Sequence, residues 1–115
     1  ADQLKDSYFC ANYAKGSNPE FEDAYKAEYG EDYPNGFAPL GYDAAKTVVY
    51  GVQAAEDAGL DSGTDEYKQA VNDAIASGTI EGITGTFTFD EHHDPVKKTA
   101  ILTYVDGKPE LKEMF

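Results

Sequence analysis

Apolar residues recur at three- and four-residue spacing through one long stretch, Gly36 to Gly59 (GFAPLGYDAAKTVVYGVQAAEDAG). Leu40, Ala44, Ala45, Val48, Val49, Val52 and Ala55 form a single stripe, the mark of an amphipathic helix. Pro39 fits at its first turn, where a missing N–H costs nothing, and Gly59 fits its C-terminal cap. The stripe is expected to pack closely against a sheet, with Asp43, Lys46, Gln53 and Asp57 on the opposite, wet side. Two shorter helices are predicted around it. Asn18 reads as an N-cap with Pro19 behind it, Phe21, Tyr25 and Tyr29 make one face, and Gly30 ends the helix. Thr64 caps the other, whose buried face is Tyr67, Val71, Ala74 and Ile75 and whose stop is Gly78.

The period changes to two at both ends of the chain. Ser7 to Tyr13 (SYFCANY) is a short aromatic strand, Thr86 to Phe89 (TFTF) alternates hydroxyl with aromatic, and Thr99 to Val105 (TAILTYV) is the strongest strand signal. Asp106-Gly107 after it predicts a tight hairpin returning through Glu110 to Phe115. From Ile80 onward Gly82, Gly85, Asp90, Pro95 and Gly107 punctuate the runs. The tally is an α/β chain of three helices and about four strands. The first strand stands apart from the others by all three helices, whereas a parallel sheet alternates strand and helix. That order points to a piece of a larger α/β architecture.

Composition narrows the chemistry. The 115 residues suit one domain, and 41% hydrophobic with 27% charged residues is a globular balance. A net charge of −13, with nine lysines and no arginine, excludes nucleic acid as a partner. No run of apolar residues is long enough for a membrane span, and the opening Ala1 is expected to mark a trimmed or expressed piece. Cys10 stands alone, so no internal disulfide forms; in an aromatic strand it is expected to be buried and inert. No serine sits in a nucleophile-elbow pattern, and Gly82-Ile83-Thr84-Gly85 lacks the lysine of a phosphate loop. Asp90 to Asp94 (DEHHD) offers ligand types, but adjacent His92 and His93 on a strand point to opposite faces, so a solvated turn is expected and no metal site. No enzyme activity and no cofactor are expected.

Three pieces, in this order and spacing, carry a resemblance: the helix start GYDAAK, the turn and strand GITGTFTFDE, and the hairpin YVDGK. Together they resemble the C-terminal part of the type I periplasmic-binding-protein family. More narrowly, they are similar to the substrate-binding proteins of branched-chain amino acid ABC transporters, of the leucine/isoleucine/valine-binding kind. The resemblance covers nearly the whole chain, yet only about the last third of a two-domain member.

What it implies is a partial type I fold. The chain would be the C-terminal portion of a two-lobed protein that closes on its ligand by hinge bending. Helices within residues 19–78 would belong to the N-terminal lobe, and chain crossings would lie near Cys10 to Lys15 and near Asp90 to Lys98. The polar clamp for an amino acid's charged groups would lie mostly upstream. Phe37 would wall the pocket for the ligand side chain, with Tyr42 and Tyr13 as weaker ligand-binding candidates. His93 would take a turn position where family members commonly have glycine, hence a positive φ. The partners implied are a small amino acid and an ABC permease. The location implied is extracytoplasmic, in the periplasm or as a cell-surface lipoprotein. Two alternatives remain open: a sensor domain of the same fold and a non-catalytic interaction module. Bare sheet edges and helix faces would favour self-association or a strand-exchanged dimer.

Overall fold

The computed structural model describes residue 4 and residues 6–115. In chain order the elements are β1 (Tyr8–Ala11), α1 (Pro19–Tyr29), α2 (Phe37–Asp57), α3 (Asp65–Ser77), β2 (Ile80–Gly82), β3 (Gly85–Phe89), β4 (Pro95–Val96), β5 (Ala100–Val105) and β6 (Lys108–Met114). The three helices fall where the apolar period places them. Six strands are present among the described residues, against about four expected. The additions, β2 and β4, are three and two residues long, too short for alternation to register. The chain divides into two compact units, one comprising the chain up to Leu40 with Lys98–Phe115, the other Gly41–Lys97.

The first unit is built on an antiparallel sheet of order β1-β5-β6. The β5–β6 hairpin turns on Asp106 and Gly107, both in the left-handed region (φ 50° and 79°), as an Asp-Gly turn requires. A bulge between Ile101 and Leu102 shifts the β6 register, so Ile101 faces Glu113 and Leu102 faces Leu111. Thr99 and Phe115 exchange N–H to carbonyl bonds at 2.9 and 2.8 Å and close the sheet's end. Ala14, Ala100 and Leu102 are the buried centre, with Phe9 and Ala11 packed on it. Cys10, expected inside, is exposed, because alternation along β1 turns Phe9 and Ala11 toward the core and Cys10 away. In α1, the Asn18 side chain accepts the Phe21 N–H at 3.0 Å, and Gly30, at φ 75°, ends the helix.

In the second unit β2, β3 and β4 form another antiparallel sheet. Gly82 pairs with Gly85, which leaves Ile83 and Thr84 as a two-residue turn. The largest departure from expectation is the face that α2 buries. Asp43, Thr47, Gly51 and Ala55 point inward, whereas Val48 and Val49 are 56% and 64% exposed. Of the predicted stripe within this unit, only Ala55 is buried. The reason is that each inward polar group has a partner at hand. Thr47 Oγ1 donates to the Asp43 carbonyl one turn back at 2.8 Å, and the Asp43 carboxylate meets the β2–β3 turn. Gly51 lets α3 approach: a Cβ there would lie 2.8 Å from Ile75 Cγ1 and 2.9 Å from Val71 Cγ1. The predicted inner face of α3 is half-buried and none of its residues is wholly enclosed.

Candidate functional site

Asp43 lies two residues into the Gly41–Lys97 part of α2 and is 3% exposed. A buried carboxylate persists only if donors replace the lost water. Oδ1 accepts the Ile83 N–H at 2.7 Å, and Oδ2 accepts the Thr84 N–H at 2.9 Å and its hydroxyl at 2.6 Å. The turn can reach the carboxylate because Gly82 has no side chain; a Cβ there would come within 2.6 Å of Asp43 Cγ. The hydroxyl of Thr84 also accepts from Lys97 Nζ, which donates to the Thr84 carbonyl at 3.5 Å. That ammonium lies 5.9 Å from the centre of the Phe87 ring. Burial holds Lys97 below the ordinary lysine value, while the Asp43 charge acts the other way. Lys46, on the same helix, donates to the Glu81 carbonyl at 2.6 Å. Among the described residues no buried side-chain nitrogen or oxygen lacks a hydrogen-bond partner.

The second polar centre belongs to the first unit. Tyr13 is 7% exposed, and its hydroxyl donates to Glu22 Oε1 at 2.7 Å while accepting the Asn18 N–H at 3.1 Å. Glu22 Oε1 also accepts the Gly16 N–H at 2.7 Å, so one carboxylate holds the loop ahead of α1. Around Tyr13 pack Phe21 and Tyr33, at 6.2 and 5.6 Å between ring centres in edge geometry. Burial, and then the hydrogen bond to Glu22, raise the Tyr13 hydroxyl well above the ordinary phenol value. Burial, followed by the charges of Glu22 and Asp32, pushes Tyr33 up to about 12.

The three ligand-binding candidates thus sit in different surroundings. Tyr13 is enclosed, with its hydroxyl committed to protein partners. Phe37 opens α2 and is 79% exposed, its backbone N–H held by Asn35 Oδ1 at 2.9 Å. Tyr42 is about half-exposed at one end of a shallow apolar groove that Ala45, Lys46, Val49, Tyr50 and Gln53 continue. The DEHHD segment is a turn closed on Asp90: its Oδ1 accepts the His92 and Asp94 N–H groups, and His93 takes φ 65°. Among the described residues no group of three or more His, Cys, Asp or Glu is placed to hold a metal ion. Missed from sequence were Asp43, read as a wet position, and its partners Thr84 and Lys97. The available signal was Gly82 beside the turn, in the piece GITGTFTFDE that carries the resemblance along with GYDAAK.

A periplasmic binding protein family model matches residues 1–109. The chain belongs to that family. No curated protein sequence matches it. Among solved structures, the chain is similar to an R. palustris ABC-transporter solute binding protein in complex with benzoate. The TM-score is 0.72 at 22% identity, over 96% of this chain and 30% of that one. It is also similar to LivJ of Streptococcus pneumoniae, a branched-chain amino acid transporter substrate binding protein in complex with isoleucine. There the TM-score is 0.66 at 29% identity, over 94% of this chain and 30% of LivJ. The leucine binding protein LivK of Thermotoga maritima gives 0.65 at 21%, over 99% and 32%. This periplasmic binding protein chain therefore spans about a third of the length of these relatives. The chain has the α/β fold of this family, whose members are non-catalytic, extracytoplasmic solute-binding proteins.

Proposed function

We propose that the chain is the C-terminal part of a two-lobed solute-binding protein that delivers a small organic carboxylate to an ABC permease. A branched-chain amino acid is the first candidate ligand. The observation that carries this reading is the family match over residues 1–109 set against relatives three times as long, one of them holding isoleucine at 29% identity. The outward apolar face of α2 supports it, since Val48 and Val49 are exposed in a helix otherwise patterned for burial. On this reading helices within residues 19–78 belong to the N-terminal lobe and the chain crosses between lobes near residues 10–15 and 90–98. Phe37 is the pocket wall, an exposed phenyl ring with apolar surface to offer; Tyr42 is secondary, and Tyr13 supports the first crossing from within the fold.

The test is the gene's full reading frame and calorimetry on its product. A frame about three times this length should bind one of leucine, isoleucine, valine or benzoate. In that product Phe37→Ala should weaken binding roughly 5- to 150-fold, the equivalent of about 1–3 kcal/mol for a buried aliphatic contact. Neutral-pH stability should hardly change. The 115-residue chain alone should bind weakly or not at all, since the polar clamp lies elsewhere on this reading; submicromolar affinity for it would refute the assignment.

The isolated chain should also self-associate through β1. That strand is an edge with no charge and no proline (YFCA), whereas the other edge, β6, carries Lys108, Pro109, Glu110, Lys112 and Glu113. Charged and proline-bearing edges resist pairing, and bare ones invite it. Light scattering should give a dimer mass that falls when the outward-facing Tyr8 or Cys10 is replaced by lysine. A monomer at high concentration would count against it.

A further inference from the structure

The unit Gly41–Lys97 begins two residues before Asp43 and ends on Lys97, and these two side chains meet at the hydroxyl of Thr84. That hydroxyl has one proton, which it gives to Asp43 Oδ2, and a lone pair that receives Lys97 Nζ. We infer that Asp43, Thr84 and Lys97 form a clasp that fastens both ends of this unit to one point, the Ile83-Thr84 turn. The two places where the polypeptide joins the unit then move together. The anchor at the start is strong and redundant, with two backbone amides and a hydroxyl on one carboxylate. The anchor at the end rests on one ammonium, seated over Phe87 and bonded only to Thr84 among the hydrogen bonds described. Thr84 is thus a positioning residue, the single relay between the two. The turn's fixed approach, which needs a glycine at residue 82, serves both anchors at once. Sequence separation shows the reach of the device: it closes a loop from residue 43 to residue 97 through one threonine.

What the clasp would do to ligand-driven closure rests on the reading proposed above. The clasp itself does not, and its test needs no ligand. Hydrogen exchange by mass spectrometry on the 115-residue chain compares Lys97→Met, Thr84→Val, Thr84→Ser and the Thr84→Val/Lys97→Met double variant. A charge-assisted hydrogen bond lost from a local opening equilibrium speeds exchange about tenfold or more. Lys97→Met should do so in peptides covering residues 94–99 while residues 80–84 keep their rate. Thr84→Val should speed both segments, Thr84→Ser should restore the original rates, and the double variant should match Thr84→Val over 94–99. The inference is overturned if Lys97→Met leaves residues 94–99 unchanged, if it speeds all of residues 41–97 uniformly, or if Thr84→Ser behaves as Thr84→Val. Should Thr84→Val fail to fold, Lys97→Met and Thr84→Ser decide the matter.

Discussion

Replacing Asp43 by alanine should lower the stability of the chain by about 4 kcal/mol, near the top of what a single substitution does. The residue is 3% exposed and takes three donors, two of them backbone amides that lose their acceptor once the carboxylate is gone. Hydrogen bonds to a charged group contribute about 1.5–3 kcal/mol each, and a buried donor left alone costs about 1–3 kcal/mol, so the estimate holds even with partial relaxation of the turn. Asp43→Asn should cost less, about 2 kcal/mol, since one acceptor oxygen survives while an NH2 group faces a donor. Gly82→Ala should cost about 1–3 kcal/mol, because its Cβ would intrude on the same carboxylate. The decisive comparison is the double variant. With Asp43 already alanine the added methyl group has room, so the two losses should fall well short of their sum. Urea unfolding followed by circular dichroism measures all four. Full additivity, or a loss under 1 kcal/mol for Asp43→Ala, would show that the turn is held by something else.

The same residue marks where pattern reading succeeded and failed. Helix positions were legible, because caps and breakers act locally: Asn18 and Thr64 accept N–H groups of their own helices, and Gly30 and Gly78 end them. The Asp106-Gly107 hairpin was legible for the same reason. Which face of α2 goes inside was not. Periodicity finds an apolar stripe but cannot say what covers it, and here the sequence holds two helical faces with a claim to burial. One is the valine stripe, left exposed; the other is Asp43, Thr47, Gly51 and Ala55, whose polar members bring their partners from 40 residues away or from their own helix. A nonlocal acceptor–donor match leaves no trace in hydropathy. Val48 and Val49 stay exposed, which fits the proposed reading of a chain that spans about 30% of its relatives' length. The candidate ligand residues were read from resemblance alone. Their environments separate them: Phe37 offers its ring to solvent, Tyr13 does not.

Alkaline pH should unfold the first unit, and the cause is its phenols. An ordinary tyrosine ionises near pH 10. In the folded chain Tyr33 is pushed up to about 12, and Tyr13 higher still, by burial first and then by a carboxylate that would face the new phenolate. The unfolded chain therefore releases protons above pH 10 that the folded one keeps. A state that binds more protons loses ground as pH rises, so the stability tied to these two groups is fully present below pH 10 and is lost on passing through 12. At about 1.4 kcal/mol per unit, reduced because Tyr33 is only partly buried and solvent screens its neighbours' charges, the Tyr33 shift is worth about 1–2 kcal/mol at the upper end. Deprotonation of lysines in the same range enlarges a net charge already at −13, and self-repulsion acts in the same direction. Two signals should appear together. The phenolate absorbance that Tyr33→Phe removes should appear only above pH 10, as ellipticity collapses. Tyr33→Phe should leave neutral-pH stability nearly unchanged and flatten the loss between pH 10 and 12, because the group that drives it is gone. If the absorbance that Tyr33→Phe removes appears near pH 10 with the fold intact, Glu22 does not guard its neighbours' protons, and the aromatic box around Tyr13 is looser than its distances imply.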